Sequence, residues 1–294
     1  MRAEGVVVSA LLTSAFLAGC GAPPPASRFP SASSALGRMR AQYACVNGMQ
    51  ATAKVDVFSK RGRLKGEAFL FAVNPARVRF DVVSSFGVNL MTLTSDGKRF
   101  EMLDVEQKQF LHGPANACNL ARMTQVAMEG HVLVSVLRGE APVLVHDRAA
   151  GSITWDGDGF YALEIPGTND AVERIHLGVH PDDMAKPWSS QRVRVLDVAV
   201  AQRGVDLWHV ALDDHAPAKT AAPREDPDGI DPPIPPTGPA CDAELPRSIR
   251  MEVPHTADDV ILDYTEVVWN PPLVPGTFDQ PVPRGVRRVP VDCR

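Results

Sequence analysis

Arg77-Val78-Arg79-Phe80-Asp81-Val82 decides the fold. Val78, Phe80 and Val82 alternate with Arg77, Arg79 and Asp81, so one face of an extended chain is apolar and the other is charged. That is the pattern of a half-buried antiparallel strand. Upstream, residues 64–73 put Leu64, Gly66, Ala68, Leu70 and Ala72 on one side and Phe69, Phe71 and Val73 on the other, until Asn74-Pro75 breaks the run. Further back, Ala51, Ala53, Val55 and Val57 share a face in residues 50–59, and the polar turn Lys60-Arg61-Gly62-Arg63 follows. Downstream, Ser84-Ser85-Phe86-Gly87 is a turn, residues 88–94 are a strand, and Ser95-Asp96-Gly97 turns into residues 98–105. Six strands in about 65 residues, joined by tight turns, make a meander.

The period then changes. Leu120, Met123, Val126 and Ala127, followed by Val132, Leu133, Val136 and Leu137, recur at helical spacing, with Gly130 interrupting and Gly139 closing. This predicts two short amphipathic helices that cap a core or cover the mouth of an open sheet. Strands resume at residues 152–155 and 160–165. Asp156-Gly157-Asp158-Gly159 between them reads as a hairpin turn in preference to a calcium loop. Residues 171–180, 191–200 and 204–212 read as further strands. Residues 214–240 hold Pro223, Pro227, Pro232, Pro233, Pro235, Pro236 and Pro239 among few large apolar residues, which predicts an exposed extended loop. Pro232-Pro233-Ile234-Pro235-Pro236 also has the composition of a polyproline ligand for a periplasmic protein partner, with a solvated loop the preferred reading. Ile249, Met251 and Val253 alternate, residues 260–269 form a long strand, and the end from Pro271 is proline-punctuated.

The chain opens with Arg2, an apolar run over residues 6–17, and Leu17-Ala18-Gly19-Cys20. This is the layout of a secretory signal peptide, too short to span a bilayer. A cysteine directly after Leu-Ala-Gly resembles the bacterial lipobox. That resemblance implies cleavage before Cys20, thioether lipidation of its sulfur and acylation (palmitate or a similar chain) of the new amino terminus. Gly21, in the position where an aspartate would retain a lipoprotein at the inner membrane, implies by the same resemblance the outer membrane, with the body in the periplasm. The expected organisation is a signal peptide over 1–19, a lipidated cysteine and flexible Pro/Ala/Ser-rich tether over 20–44, and a main β domain over 45–213. A proline-rich loop over 214–244 and C-terminal strands over 245–294 that complete the sheet follow.

The formal charge of −5 lacks the basic footprint of a nucleic-acid partner. Cys45, Cys118, Cys241 and Cys293 are an even set in an oxidising compartment, which implies two disulfides. The preferred pairing is Cys45 with Cys118 and Cys241 with Cys293, each on one side of the proline-rich loop. A catalytic constellation is missing from the sequence. There is no Gly-x-Ser-x-Gly elbow, no His-Glu-x-x-His and no phosphate loop. His176 and His180, four apart on a strand, would stand about 13 Å apart, too far for one metal, and read as surface histidines. Asp182-Asp183, Asp213-Asp214 and Asp258-Asp259 read as solvated charge. The expectation is therefore no enzyme, no cofactor and no metal.

Taken in order, Arg61-Gly62-Arg63-Leu64-Lys65-Gly66, Asn74-Pro75-Ala76-Arg77-Val78-Arg79-Phe80-Asp81, Ser84-Ser85-Phe86-Gly87, Thr94-Ser95-Asp96-Gly97 and Leu137-Arg138-Gly139 resemble the superfamily of the outer-membrane lipoprotein receptor LolB and the carrier LolA. Leu262-Asp263-Tyr264, Asn270-Pro271-Pro272-Leu273, Phe278 and Val282-Pro283-Arg284-Gly285-Val286 resemble the end of a less characterised branch of it. The resemblance spans about 45–213 and 245–290. It implies a mainly β fold: an incomplete, strongly curved antiparallel β-barrel with short amphipathic helices over its opening and an apolar concave face that takes the acyl chains of lipids or lipoproteins. Leu70, Val78, Phe80, Leu90, Leu93, Met102, Met123, Val136 and Leu137 are the expected lining, with an ordinary packed core as the alternative for each. Phe86, before Gly87, matches the exposed apolar loop position of the receptor and implies contact with membrane or lipid. The implied function is a membrane-anchored lipid- or lipoprotein-binding protein that assists lipoprotein localisation to the outer membrane. The alternative is a structural envelope lipoprotein that binds a protein partner and has no lipid cavity.

Overall fold

The computed structural model describes residues 21–60, 62–84 and 86–292; Cys20 and Cys293 lie outside them. A first meander runs through β1 (Gly48–Ser59), β2 (Gly62–Val73), β3 (Arg77–Val83), β4 (Asn89–Ser95), β5 (Arg99–Asp104) and β6 (Gln109–Pro114). Two helices follow, α2 (Ala117–Thr124) and α3 (Gly130–Leu137), and α1 (Ala32–Gln42) precedes them all. A second meander comprises β7 (Ser152–Trp155), β8 (Phe160–Pro166), β9 (Ala171–Val179), β10 (Val193–Gln202) and β11 (Val205–Asp213). Short pieces β12 (Ala216–Pro217), β13 (Lys219–Thr220) and β14 (Glu244–Leu245) flank the proline-rich loop, and β15 (Ser248–Val253), β16 (Asp258–Trp269) and β17 (Arg287–Pro290) complete the chain.

Among the described residues, one sheet of 15 strands carries almost everything, in the order β17-β6-β5-β4-β3-β2-β1-β16-β15-β11-β10-β9-β8-β7, with β13 beside β16. Its pairings are antiparallel except where β17 meets β6 and β13 meets β16. The sheet is not closed, since β17 and β7 stand at opposite edges. The C-terminal strands β15 and β16 lie in its middle and join the two meanders, with Val55 opposite Leu262 and Leu212 opposite Ile249. A single apolar face follows from the period of two. In β3, Val78, Phe80 and Val82 are buried while their neighbours are half-exposed, and Arg79 and Asp81 pair at 2.6 Å on the outer face. The inner face of both meanders surrounds one continuous core.

The helices close on that inner face. α3 buries Leu133, Val134, Val136 and Leu137 against β2 and β3. It stops at Gly139, whose positive φ of 86° and close approach to Pro246 suit only glycine. α2 starts at the N-cap Asn116, whose side chain accepts from the Asn119 N–H at 2.9 Å.

The tether expected over 20–44 is not one. From residue 22 onward the chain is docked, and α1 packs into the second meander. Ser31 caps it, Ala32, Ala35, Leu36 and Met39 are buried, and Phe29 meets Tyr161 edge-on at 5.2 Å between ring centroids. Arg38 donates to the Gln191 carbonyl, and the Gln42 amide exchanges two hydrogen bonds with the Val193 backbone. Leu36 and Met39, three apart, give α1 the apolar stripe that outweighs the tether-like composition before it.

The disulfide expectation is also corrected. Cys45 bonds Cys241, 196 residues away, where the chain leaving α1 meets the chain entering β14. Cys118 is disulfide-bonded as well, so Cys45–Cys118 is excluded. Beside Cys45, buried Asn270 accepts from the Asn47 and Gly48 N–H groups and donates to the carbonyls of Cys45 and Pro239. These bonds fasten the end of the proline-rich loop, whose residues 223–233 stay exposed or half-exposed.

Candidate functional site

Successive hairpins of an antiparallel meander turn at alternate ends of the sheet. The β1–β2, β3–β4 and β5–β6 turns therefore share one end. The cavity in the inner face lies there, with a volume of about 360 Å³. Each wall comes from a different strand: Val55 and Val57 from β1, Leu64 and Ala68 from β2, Phe80 and Val82 from β3, Met91 from β4, Met251 from β15, and Val260 and Leu262 from β16. Met123, Thr124 and Gln125 at the end of α2 form its roof. Ser59, Gly62, Arg63, Glu106 and Arg122 ring the mouth. The cavity exists because the inner face carries small residues here, with Ala68 beside Ala53 and Gly66 opposite Val55. Three methionines in the wall are unbranched and polarisable, so the wall can repack around a flexible guest.

The expected lining residues divide. Phe80 and Met123 line the cavity. Leu70, Val78 and Leu93 are fully buried in the core, as are Val136 and Leu137 of α3; Met102 is buried in the same core, and Leu90 is half-buried against it. Nine apolar wall residues were absent from the expected set: Val55, Val57, Leu64, Ala68, Val82, Met91, Met251, Val260 and Leu262. Their strand faces were readable, but the pairing of β16 with β1, which brings four of them together, has no local signal.

Phe86 stands at the tip of the β3–β4 hairpin with 93 % of its surface exposed; Val88 in the same hairpin and Val105 in the β5–β6 turn are also exposed. The Ser84 hydroxyl oxygen accepts from the Phe86 and Val88 N–H groups, and Gly87 takes a positive φ of 74°. Gly87 lines a separate polar groove with Lys54, Asp56, Lys65 and Glu67. At the mouth, Arg63 forks onto Asp56 and lies over the Phe58 ring at 4.2 Å, and hydrogen bonding from Arg63 pulls the Asp56 carboxyl down to about 2.

Elsewhere the ionisable groups are mostly paired. His180 is buried rather than on the surface, between Glu244 and Arg192. Asp183 is buried too, held by Arg192 and Lys186, so only its neighbour Asp182 is solvated charge. Asp213 and Asp214 are exposed, whereas Asp259 pairs with Arg250. On the outer face, His209 sits between Asp197 and Glu252, and hydrogen bonding to Asp197 raises it to about 9. Asp156 accepts from the Asp158 and Phe160 N–H groups and closes the β7–β8 hairpin. Among the described residues, no group of three or more His, Cys, Asp or Glu side chains could hold a metal ion.

A DUF1329 family protein from Desulfovibrio piger has a similar structure at a TM-score of 0.51 and 10 % identity, over 84 % of this chain and 95 % of that one. The likeness is one of fold. The chain shares with that protein an open, mainly antiparallel sheet that is not closed into a barrel, with few short helices. The LolA superfamily protein NE2245 from Nitrosomonas europaea scores 0.49 at 11 % identity, over 85 % of this chain and 98 % of that one. An outer membrane lipoprotein-sorting protein domain from Vibrio parahaemolyticus scores 0.47 at 9 % identity, over 83 % and 95 %. No family model and no curated protein matches the chain.

Proposed function

We propose that this chain is an envelope protein, anchored to the outer membrane by acylated Cys20, that holds an acyl chain of a lipid or lipoprotein in the inner-face cavity and assists lipoprotein localisation. The observation that carries this reading is the cavity itself. It has about 360 Å³, a wall of aliphatic, methionine and phenylalanine side chains from six neighbouring strands, and polar residues at its mouth. That volume falls within the range of ordinary ligand sites. Each methylene moved from water into such a wall contributes about 0.8 kcal/mol, so a chain partitions into it without any chemical step. Transfer onward needs only a difference in affinity between donor and acceptor.

Native mass spectrometry of the Cys20→Ser form, with an added sixteen-carbon fatty acid, tests the reading. Stoichiometric uptake is expected. Ala68→Trp, which fills the cavity from its floor, should weaken uptake by at least about ten-fold, or about 1.4 kcal/mol. A clean apo mass at saturating fatty acid would sink the lipid reading and leave a structural lipoprotein that binds a protein partner.

A further inference from the structure

The methionines of the described residues fall into two groups. Met39, Met49, Met102, Met128 and Met251 are buried, at 4 % exposure or less. Met91, Met123 and Met184 are half-buried. Two of these three line the cavity. Met91 enters from β4, opposite Val82 of β3, which is itself a wall residue. Met123 enters from the roof, near the end of α2. Met251 shares the wall but belongs to the buried group, and Met184 lies outside the cavity. The cavity therefore holds two accessible thioethers, one in a wall strand and one in the roof. Beside Met123, the Thr124 hydroxyl is turned to the Leu120 and Val126 carbonyls at 3.2 and 3.0 Å. It is thus committed to the backbone and does not answer a new oxygen on the neighbouring sulfur.

We propose that Met91 and Met123 are oxidation sites, at which a peroxide converts thioether to sulfoxide and loosens the hold of the cavity on its guest. The effect on binding rests on the reading that the cavity holds an acyl chain. A sulfur lone pair attacks one oxygen of hydrogen peroxide. The S–O bond forms and the O–O bond breaks. The second oxygen takes up the proton of the transferred one and leaves as water. The thioether is oxidised by two electrons and the peroxide is reduced by two. Each sulfoxide turns a flexible apolar side chain into a polar, chiral one. A wall oxygen that loses water to an acyl chain without gaining a hydrogen bond opposes binding. Enzymatic reduction of the sulfoxide restores the wall, so the modification is reversible. The methionines that let the wall repack around a guest also make guest binding sensitive to oxidant.

Limited hydrogen peroxide treatment of the Cys20→Ser form, followed by peptide mass mapping, tests this. Oxygen is expected at Met91, Met123 and Met184 before the five buried methionines. Saturating sixteen-carbon fatty acid should slow oxidation at Met91 and Met123 several-fold and leave Met184 unchanged. The oxidised protein should bind that fatty acid at least about ten-fold more weakly than the untreated protein. Met184→Leu should lose as much on treatment as the parent. Met91→Leu/Met123→Leu should lose less than about two-fold, relative to its own untreated affinity. Full affinity in a parent oxidised at both positions overturns the proposal. So does an equal loss in Met91→Leu/Met123→Leu, or oxidation of the buried methionines first. Loss of the native circular dichroism on oxidation overturns it too, because the effect would then lie in the fold and not in the cavity. A parent that takes up no fatty acid before treatment sinks the lipid reading instead, and mass mapping still reads which sulfurs react.

Discussion

At the scale of single residues, the molecule buries charge only where it can be answered. Glu173 is fully buried on β9, and its carboxylate accepts from the N–H groups of Val143 at 3.2 Å and Leu144 at 2.7 Å. Burial pushes its pKa up, and those two bonds oppose the push. Glu173→Ala should cost about 2–4 kcal/mol in urea unfolding, because two buried donors lose their acceptor. Glu173→Gln, which keeps one carbonyl oxygen, should lose less. His209 has a different signature. Its imidazolium is held by Asp197 and Glu252, and its pKa of about 9 lies above the ordinary 6.5. A raised histidine contributes stability that is complete below about pH 6.5 and is lost as the pH climbs through about 9. The melting temperature should fall by a few degrees across that window, and His209→Gln should flatten the fall. An unchanged slope in the variant would assign the pH dependence to another group.

At the scale of elements, α1 and the disulfide are the informative cases. Leu36→Ala should destabilise by about 2–5 kcal/mol, since its side chain is 2 % exposed in the core of the second meander. A tether would give no change at all. The Cys45–Cys241 bond closes a separation of 196 residues, and Cys241→Ser should cost about 2–5 kcal/mol by chemical unfolding. Both elements also mark where sequence reasoning stops. The first meander was legible because Val78, Phe80 and Val82 alternate against charged neighbours, and α2 and α3 because Leu133, Val136 and Leu137 keep a helical period. α1 was missed because Pro23–Pro25 and the serines set the composition of its surroundings, and only Leu36 and Met39 speak for it. The disulfide was mispaired because Cys45 and Cys241 become neighbours only through the pairing of β16 with β1. The same pairing decided which apolar residues enclose space and which fill it. Val78 and Phe80 share one face of β3, yet Phe80 lines the cavity and Val78 does not.

At the scale of the whole molecule, the sheet is two meanders joined by one late hairpin. β16 lies between β1 and β15, and Met49 faces Trp269 across 220 residues of chain, from 269 − 49. Contacts this distant in sequence form slowly, because loop closure must precede any gain. During synthesis, β1 and β11 each present an open edge until residues 248–269 arrive. Such edges pair readily with other chains. The cavity shares this fate, because Met251, Val260 and Leu262 are its last wall. A chain interrupted after β14 therefore has neither a joined sheet nor an enclosed cavity, and the cavity arrives only with completed folding.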